Sequence, residues 1–213
     1  MDLHTWLAFF AAACVIAVSP GSGAVLSMSH GLSYGVRRTG ATIAGLQLGL
    51  LLILLIAGAG VGSLLLASEV AFSTVKVLGA CYLIYVGWSQ WRASGAVALP
   101  GSAGAAPASR WQQRCMTGFL TNATNPKGII FMVAVLPQFL TEQRPLAPQL
   151  LILAATMVAV DVVVMHGYAA SASALRRLLR SARAVRAQNR VFGGLLMAVG
   201  AGLFFVQRGT RTG

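Results

Sequence analysis

From Thr39 to Ser68 the chain runs for thirty residues without a charged side chain. About 20 apolar residues suffice to cross the hydrocarbon core of a bilayer. Lipid offers no partner for backbone N–H and C=O groups, so such a segment must satisfy its own backbone as a helix or belong to a closed barrel. This run is too long and too continuously apolar for the alternating strands of a barrel. The whole chain shares its character: of 213 residues 57% are hydrophobic and 9% charged, with a mean hydropathy of +0.76, far from the mixture of a soluble protein.

The pattern predicts an all-α integral membrane protein with six transmembrane helices, at Leu3 to Met28, Gly40 to Ala67, Phe72 to Trp91, Cys115 to Leu140, Leu146 to Ser173 and Val191 to Gln207. Almost nothing remains for a soluble domain, so residues 1–213 read as a single transmembrane domain. The polar connection 92–114 contains ALPGSAGAAPAS, a Gly, Ala, Ser and Pro mixture that predicts a flexible linker. MDLHTWLAFF lacks the Lys or Arg of a signal peptide and reads as the start of a retained first helix.

The net charge of +12 is placed by loop. Arg37 and Arg38 follow the first span, Arg92, Arg110 and Arg114 flank the linker, and Arg176, Arg177, Arg180, Arg183, Arg186 and Arg190 fill the fifth connection. The alternate loops hold only Arg144 and the tail pair Arg208 and Arg211. The positive-inside rule therefore puts both termini outside and the basic loops in the cytoplasm. Anionic lipid headgroups are the expected partner of those arginines, and no aromatic interleaving or reader motif points to nucleic acid. Cys14, Cys81 and Cys115 lack ligand spacing and read as small core residues, so neither a metal nor a cofactor is expected.

Two spans are interrupted. AVSPGSGAVLSM places Pro20, Gly21 and Gly23 inside the first, and TNATNPKGII places Pro126 inside the fourth, with Asn122 and Asn125 before it and Lys127 after it. Proline removes a donor and frees carbonyls that lipid cannot satisfy, so each break must face protein or a wet cavity. The breaks fall in corresponding places of two three-span halves. KVLGACYLIYVG and RVFGGLLMAVG also echo each other at the ends of those halves. A 3+3 inverted repeat with broken helices 1 and 4 follows, the plan of many secondary transporters. Half-helices starting near Gly21 and Gly128 would aim backbone donors at the cavity. Ser19, Ser22, Asn122 and Asn125 add uncharged donors and acceptors suited to a polar solute, or to capping the breaks.

Asp161, bracketed by VAV and VVVMHGYA, lies near the midplane of the fifth span. An intramembrane acid is costly unless it meets water or a partner, which marks it as a proton relay or ammonium ligand. Lys127 is the other midplane charge, available either to pair with Asp161 or to attract a carboxylate, while Lys76 reads as snorkelling from an end of the third span. His166 extends a proton path or packs by a hydrogen bond. Gln47 in AGLQLG reads as a cavity-lining amide between Gly45 and Gly49, whose spacing suits close helix packing. Small-residue faces permit a homo-oligomer without requiring one.

SPGSGA, AGLQLG, GACYLIYVG, NATNPKGIIF, LPQF and VVVMHGYA together resemble the lysine exporter superfamily, and more closely its RhtB-type homoserine and threonine resistance branch, over nearly the whole chain. The resemblance implies proton-driven export of small neutral amino acids such as homoserine, its lactone or threonine across a bacterial inner membrane. It carries functional weight onto Ser19, Pro20, Gly21, Asn125, Pro126, Lys127 and Asp161. Two features depart from the family pattern: His166, where an apolar residue is expected, and the Gly- and Ala-rich linker.

Two other functional classes find less support in the residues. An intramembrane serine enzyme of the rhomboid kind would need Gly two places before Ser22, where Pro20 stands, and no paired acids support hydrolysis, so no catalytic residue is assigned. A passive channel would want a selectivity ring that the sequence does not display, and a packing subunit would transport nothing without a partner.

Overall fold

The computed structural model describes residues 1–67, 69–92, 110–141, 143–172 and 182–205. Among these the chain is all-helical, without a strand. Its elements are α1 (Leu3–Val18), α2 (Ser22–Tyr34), α3 (Val36–Ala67), α4 (Glu69–Arg92), α5 (Trp111–Ala123), α6 (Pro126–Val135) with a 3-10 turn at Leu136–Phe139, α7 (Leu146–Ala170) and α8 (Ala182–Phe205).

Local chemistry sets the ends. Asp2 opens α1 by accepting from the Thr5 N–H at 2.8 Å. Ser19, forced towards extended backbone by Pro20, closes it at φ −66°, ψ 121°. Gly35 closes α2 at φ +76°, a left-handed conformation that glycine adopts freely. Asn125, extended ahead of Pro126, caps α6 by accepting from the Lys127 N–H at 3.2 Å.

Within α3 and α7, Val36–Gly60 and Leu146–Ala170 are long and apolar enough to cross a membrane. The pairs α1 with α2 and α5 with α6 qualify as broken spans, bent by 55° and 53°. Pro20 and Pro126 thus lie at joints rather than inside kinked helices, and Pro126 sits at the first position of α6, where a missing N–H costs nothing. The first predicted span continues to Tyr34 instead of Met28, and the fourth begins at Trp111 instead of Cys115. Among the described residues these make up to four spans by length and composition, and α8 adds the shorter apolar stretch Gly193–Gly202. Of the predicted linker, residues 93–109 lie outside the described residues, as do Arg176, Arg177, Arg180, Arg208, Arg211 and the Lys76 side chain, while Trp111 to Arg114 begin α5.

Packing joins the two halves. α3 lies along α5 and α4 along α8, while α7 touches α1, α2 and α3, and α6 touches α3 and α4. The α3–α5 seam is built on glycine: a Cβ added at Gly45 or Gly118 would overlap the facing backbone, at Cys115 and Thr42 respectively. The expected role of Gly45 and Gly49 in close packing is seen here. One apolar core gathers Phe9, Leu50, Leu54, Phe131, Leu136 and Leu153, and a smaller one gathers Ala24, Ile43, Leu46 and Met165. Large apolar side chains such as Leu55, Ile56, Leu151 and Val163 are exposed, as a lipid-facing surface requires. Cys81 is exposed too, and Cys14 and Cys115 half-buried, so the cysteines are not core residues: an apolar surface is equally hospitable to a thiol.

Candidate functional site

The first break exposes carbonyls at the end of α1, and side chains from the second half of the chain meet two of them. Tyr168 on α7 donates its hydroxyl to Val18 O at 2.7 Å. Lys127, one residue into α6, donates from Nζ to Ser19 O at 2.6 Å. Gly21 permits that approach, since a Cβ there would lie 3.4 Å from the Lys127 ammonium. At the second break Thr124 and Asn125 close α5 with N–H bonds to Leu120 O and Asn122 O, both 3.0 Å. The buried Asn122 amide reaches across to donate to Leu46 O of α3 at 2.7 Å.

Asp161 is buried on α7, and Gln47 of α3 donates to its Oδ2 at 2.7 Å. The other end of that amide, Gln47 Oε1, is buried without a partner among the described residues, as is Ser27 Oγ. Lys127 and Asp161 make no ion pair within 4.0 Å. The direct pairing that the sequence left open is therefore replaced by two separate attachments, one to a break carbonyl and one to an amide.

These groups surround a cavity of about 50 Å³. Ser19, Gly21, Asn122, Asn125, Lys127 and Asp161 supply its polar wall, and Leu46, Leu50, Met157 and Met165 much of its apolar one. One acid, one base and two amides thus converge where the two breaks meet, at the first turns of α2 and α6. The half-helices start at Ser22 and Pro126, within two residues of Gly21 and Gly128.

Five expected residues stand elsewhere. Ser22 is exposed, because the first turn of α2 points it away from the bundle. Pro20 and Pro126 shape the joints without lining the cavity. Gln47 stands behind Asp161 as its hydrogen-bond donor rather than on the wall. His166 is half-buried, and its Nδ1 bonds the Val162 carbonyl of its own helix at 2.8 Å, the packing alternative. Tyr168 escaped notice, although it lies seven residues after Asp161 and so on the same helical face. Gln149 did as well: buried near the start of α7, it holds Thr141, Arg144 and Pro145 by their backbones at 2.9 to 3.2 Å. Among the described residues no group of three His, Cys, Asp or Glu could hold a metal.

Known proteins resemble this chain along its length. A Salmonella typhimurium protein named homoserine/homoserine lactone efflux protein is 40% identical over 201 residues, covering 94% of this chain and 96% of its own. A Vibrio cholerae protein described as an uncharacterized membrane protein is 39% identical over 200 residues, with the same coverage. A leucine efflux protein of Enterobacter is 26% identical over 196 residues, 91% of each chain. No solved structure matches. Residues 14–207, which hold both breaks and every charged or amide group of the cavity, match the LysE type translocator description, and the chain belongs to that family.

Proposed function

We propose that this chain is a secondary active exporter of small neutral amino acids, homoserine or its lactone first and threonine next, which exchanges its substrate for protons by alternating access across a bacterial inner membrane. The observation that carries the reading is the cavity in which Asp161 and Lys127 face one space while bonded to different partners. A zwitterion fits that polarity. Its ammonium meets the Asp161 carboxylate, its carboxylate meets the Lys127 ammonium, the first-turn N–H groups of α2 and the Gly128 N–H of α6, and a side-chain hydroxyl meets Asn122 or Asn125. The relatives named for homoserine and leucine efflux support the substrate class.

Proton coupling is assigned to Asp161. Protonated, it holds an ammonium poorly; ionised, it holds one well, and only such a difference in binding between states lets one gradient drive another. Gln47 orients the carboxyl by its 2.7 Å bond. Ser19 and Gly21 supply the first break, Pro20 and Pro126 hold both joints in shape, and His166 and Ser22 lie outside this scheme.

The packing supports an inverted repeat of three spans per half. Exchange of the halves maps the contact of α5 and α6 with α3 onto that of α1 and α2 with α7, and leaves the pairs α3 with α7 and α4 with α8 in place. In this reading residues 1–213 form one six-span domain with both termini outside. The exposed Arg37, Arg38, Arg183, Arg186 and Arg190 then meet anionic lipid on the cytoplasmic side.

The test is homoserine efflux from preloaded proteoliposomes with and without an imposed proton gradient, beside Asp161→Asn. Gradient-stimulated efflux in the wild type and its loss in the variant are expected, with some homoserine exchange retained. Efflux in Asp161→Asn that still follows the gradient would remove Asp161 from coupling, and wild-type flux indifferent to any gradient and without counterflow would make the protein a channel.

A further inference from the structure

Met157, Asp161 and Met165 stand one turn apart on one face of α7, at 4%, 8% and 5% exposure, and all three line the cavity. A thioether therefore lies one turn to each side of the acid. The two methionines belong to different packing groups: Met157 joins the core around Phe131 and Leu153, and Met165 the smaller cluster of Ala24, Ile43 and Leu46. Asp161 sits at the junction between them.

At about 50 Å³ the cavity is smaller than the roughly 150 Å³ that admits benzene, so an amino acid does not fit it as it stands. Some wall must retreat when a solute enters. Ile16 is β-branched and stiff, and Leu46 and Leu50 sit on α3, which glycine seams clamp to α5. Methionine is unbranched, with three rotatable bonds, and repacks at low cost. Met165 lies beside Gly23, where even an added Cβ would stand 3.8 Å from its sulfur, so α2 sets no side chain against it there.

We propose that Met157 and Met165 are the specificity-determining walls of the site, yielding to the side chain of a substrate whose ammonium is held at Asp161, so that their bulk sets the largest side chain carried. The inference rests on the exporter reading above. It predicts that cutting either methionine back opens the site to larger aliphatic amino acids without removing the charged groups that hold the zwitterion.

The experiment loads proteoliposomes with homoserine and leucine together and reads the ratio of their efflux, so that losses of folded protein cancel. Met157→Ala and Met165→Ala are each expected to raise the leucine to homoserine ratio about tenfold or more, the scale on which a pocket reads one methylene group. Met132→Ala, a truncation in the core that does not line the cavity, is the control and should leave the ratio within about twofold. Wild-type flux with an unchanged ratio in both cavity variants, or an equal shift in the control, overturns this inference alone. Wild-type flux of neither amino acid overturns the exporter reading and this inference with it.

Discussion

Gly49→Ala tests whether the α3–α5 seam sets the cavity. The new Cβ would stand 2.7 Å from Phe119 O and 2.8 Å from Ala123 N, where ordinary contact begins at 3.4 Å. Both obstacles are backbone, so no side-chain rotation relieves them, and the helices must part by about 0.7 Å. That retreat stretches the bond from Asn122 to Leu46 O from 2.7 Å towards about 3.4 Å, beyond the usual range for N–H to O. Overpacking costs about 1–3 kcal/mol and the weakened bond about 1 kcal/mol, against a gain of about 1 kcal/mol from replacing glycine in a helix. A net loss of about 1–3 kcal/mol remains. Gly40→Ala, in the same helix with nothing within 4 Å of the new Cβ, should instead be neutral or gain up to about 1 kcal/mol. Thermal unfolding of both variants in one detergent gives the comparison, and homoserine efflux should fall only in Gly49→Ala. A Gly49→Ala protein that melts with or above Gly40→Ala would refute the reasoning.

Three further outcomes follow from single contacts. Tyr168→Phe leaves Val18 O without its donor and should lower stability by about 1–2 kcal/mol; an unmoved melting temperature would show that the bond contributes nothing. Gln149→Leu removes the partner of the Thr141, Arg144 and Pro145 backbones and should cost about 1–3 kcal/mol, with faster protease cleavage between 140 and 146 as its local sign. The Thr5 backbone N–H holds the Asp2 carboxyl below its ordinary value of 3.8, so the cap's contribution is present above that value and fades as pH falls through the lowered one. Thr5 amide shifts should therefore report fraying of α1 in acid, and Asp2→Ala should show that fraying at neutral pH already.

The two breaks were legible because proline and glycine act on their own neighbours: Pro20 dictates the backbone of Ser19, and Pro126 that of Asn125. The acid and base of the cavity were legible because a charge inside an apolar span is too costly to persist without water or a polar partner, which marks it wherever it stands. Their partners were not. Tyr168 to Val18, Lys127 to Ser19 and Gln47 to Asp161 join residues more than a hundred positions apart, so each depends on how helices dock. Facing was equally hidden. In a soluble helix the polar side marks the outside, but in lipid both sides are apolar, and neither Ser22 nor Cys81 carries a mark of turning outward. Gln149 hid for the opposite reason, since glutamine near a helix start ordinarily faces water.

The two bent pairs, so alike in angle, differ in how their inner segments are anchored. Between α2 and α3 stands one residue, Gly35, and between α1 and α2 the joint at Pro20 and Gly21, so α2 is a link with a pivot at either end. Its counterpart α6 runs directly into the Leu136–Phe139 turn, and the loop beyond is clamped by Gln149, which makes it a strut. In the alternating access proposed above, such a link and such a strut would not share the movement evenly. Spin labels on α2 and α6, each measured against α7, should register the longer travel on α2.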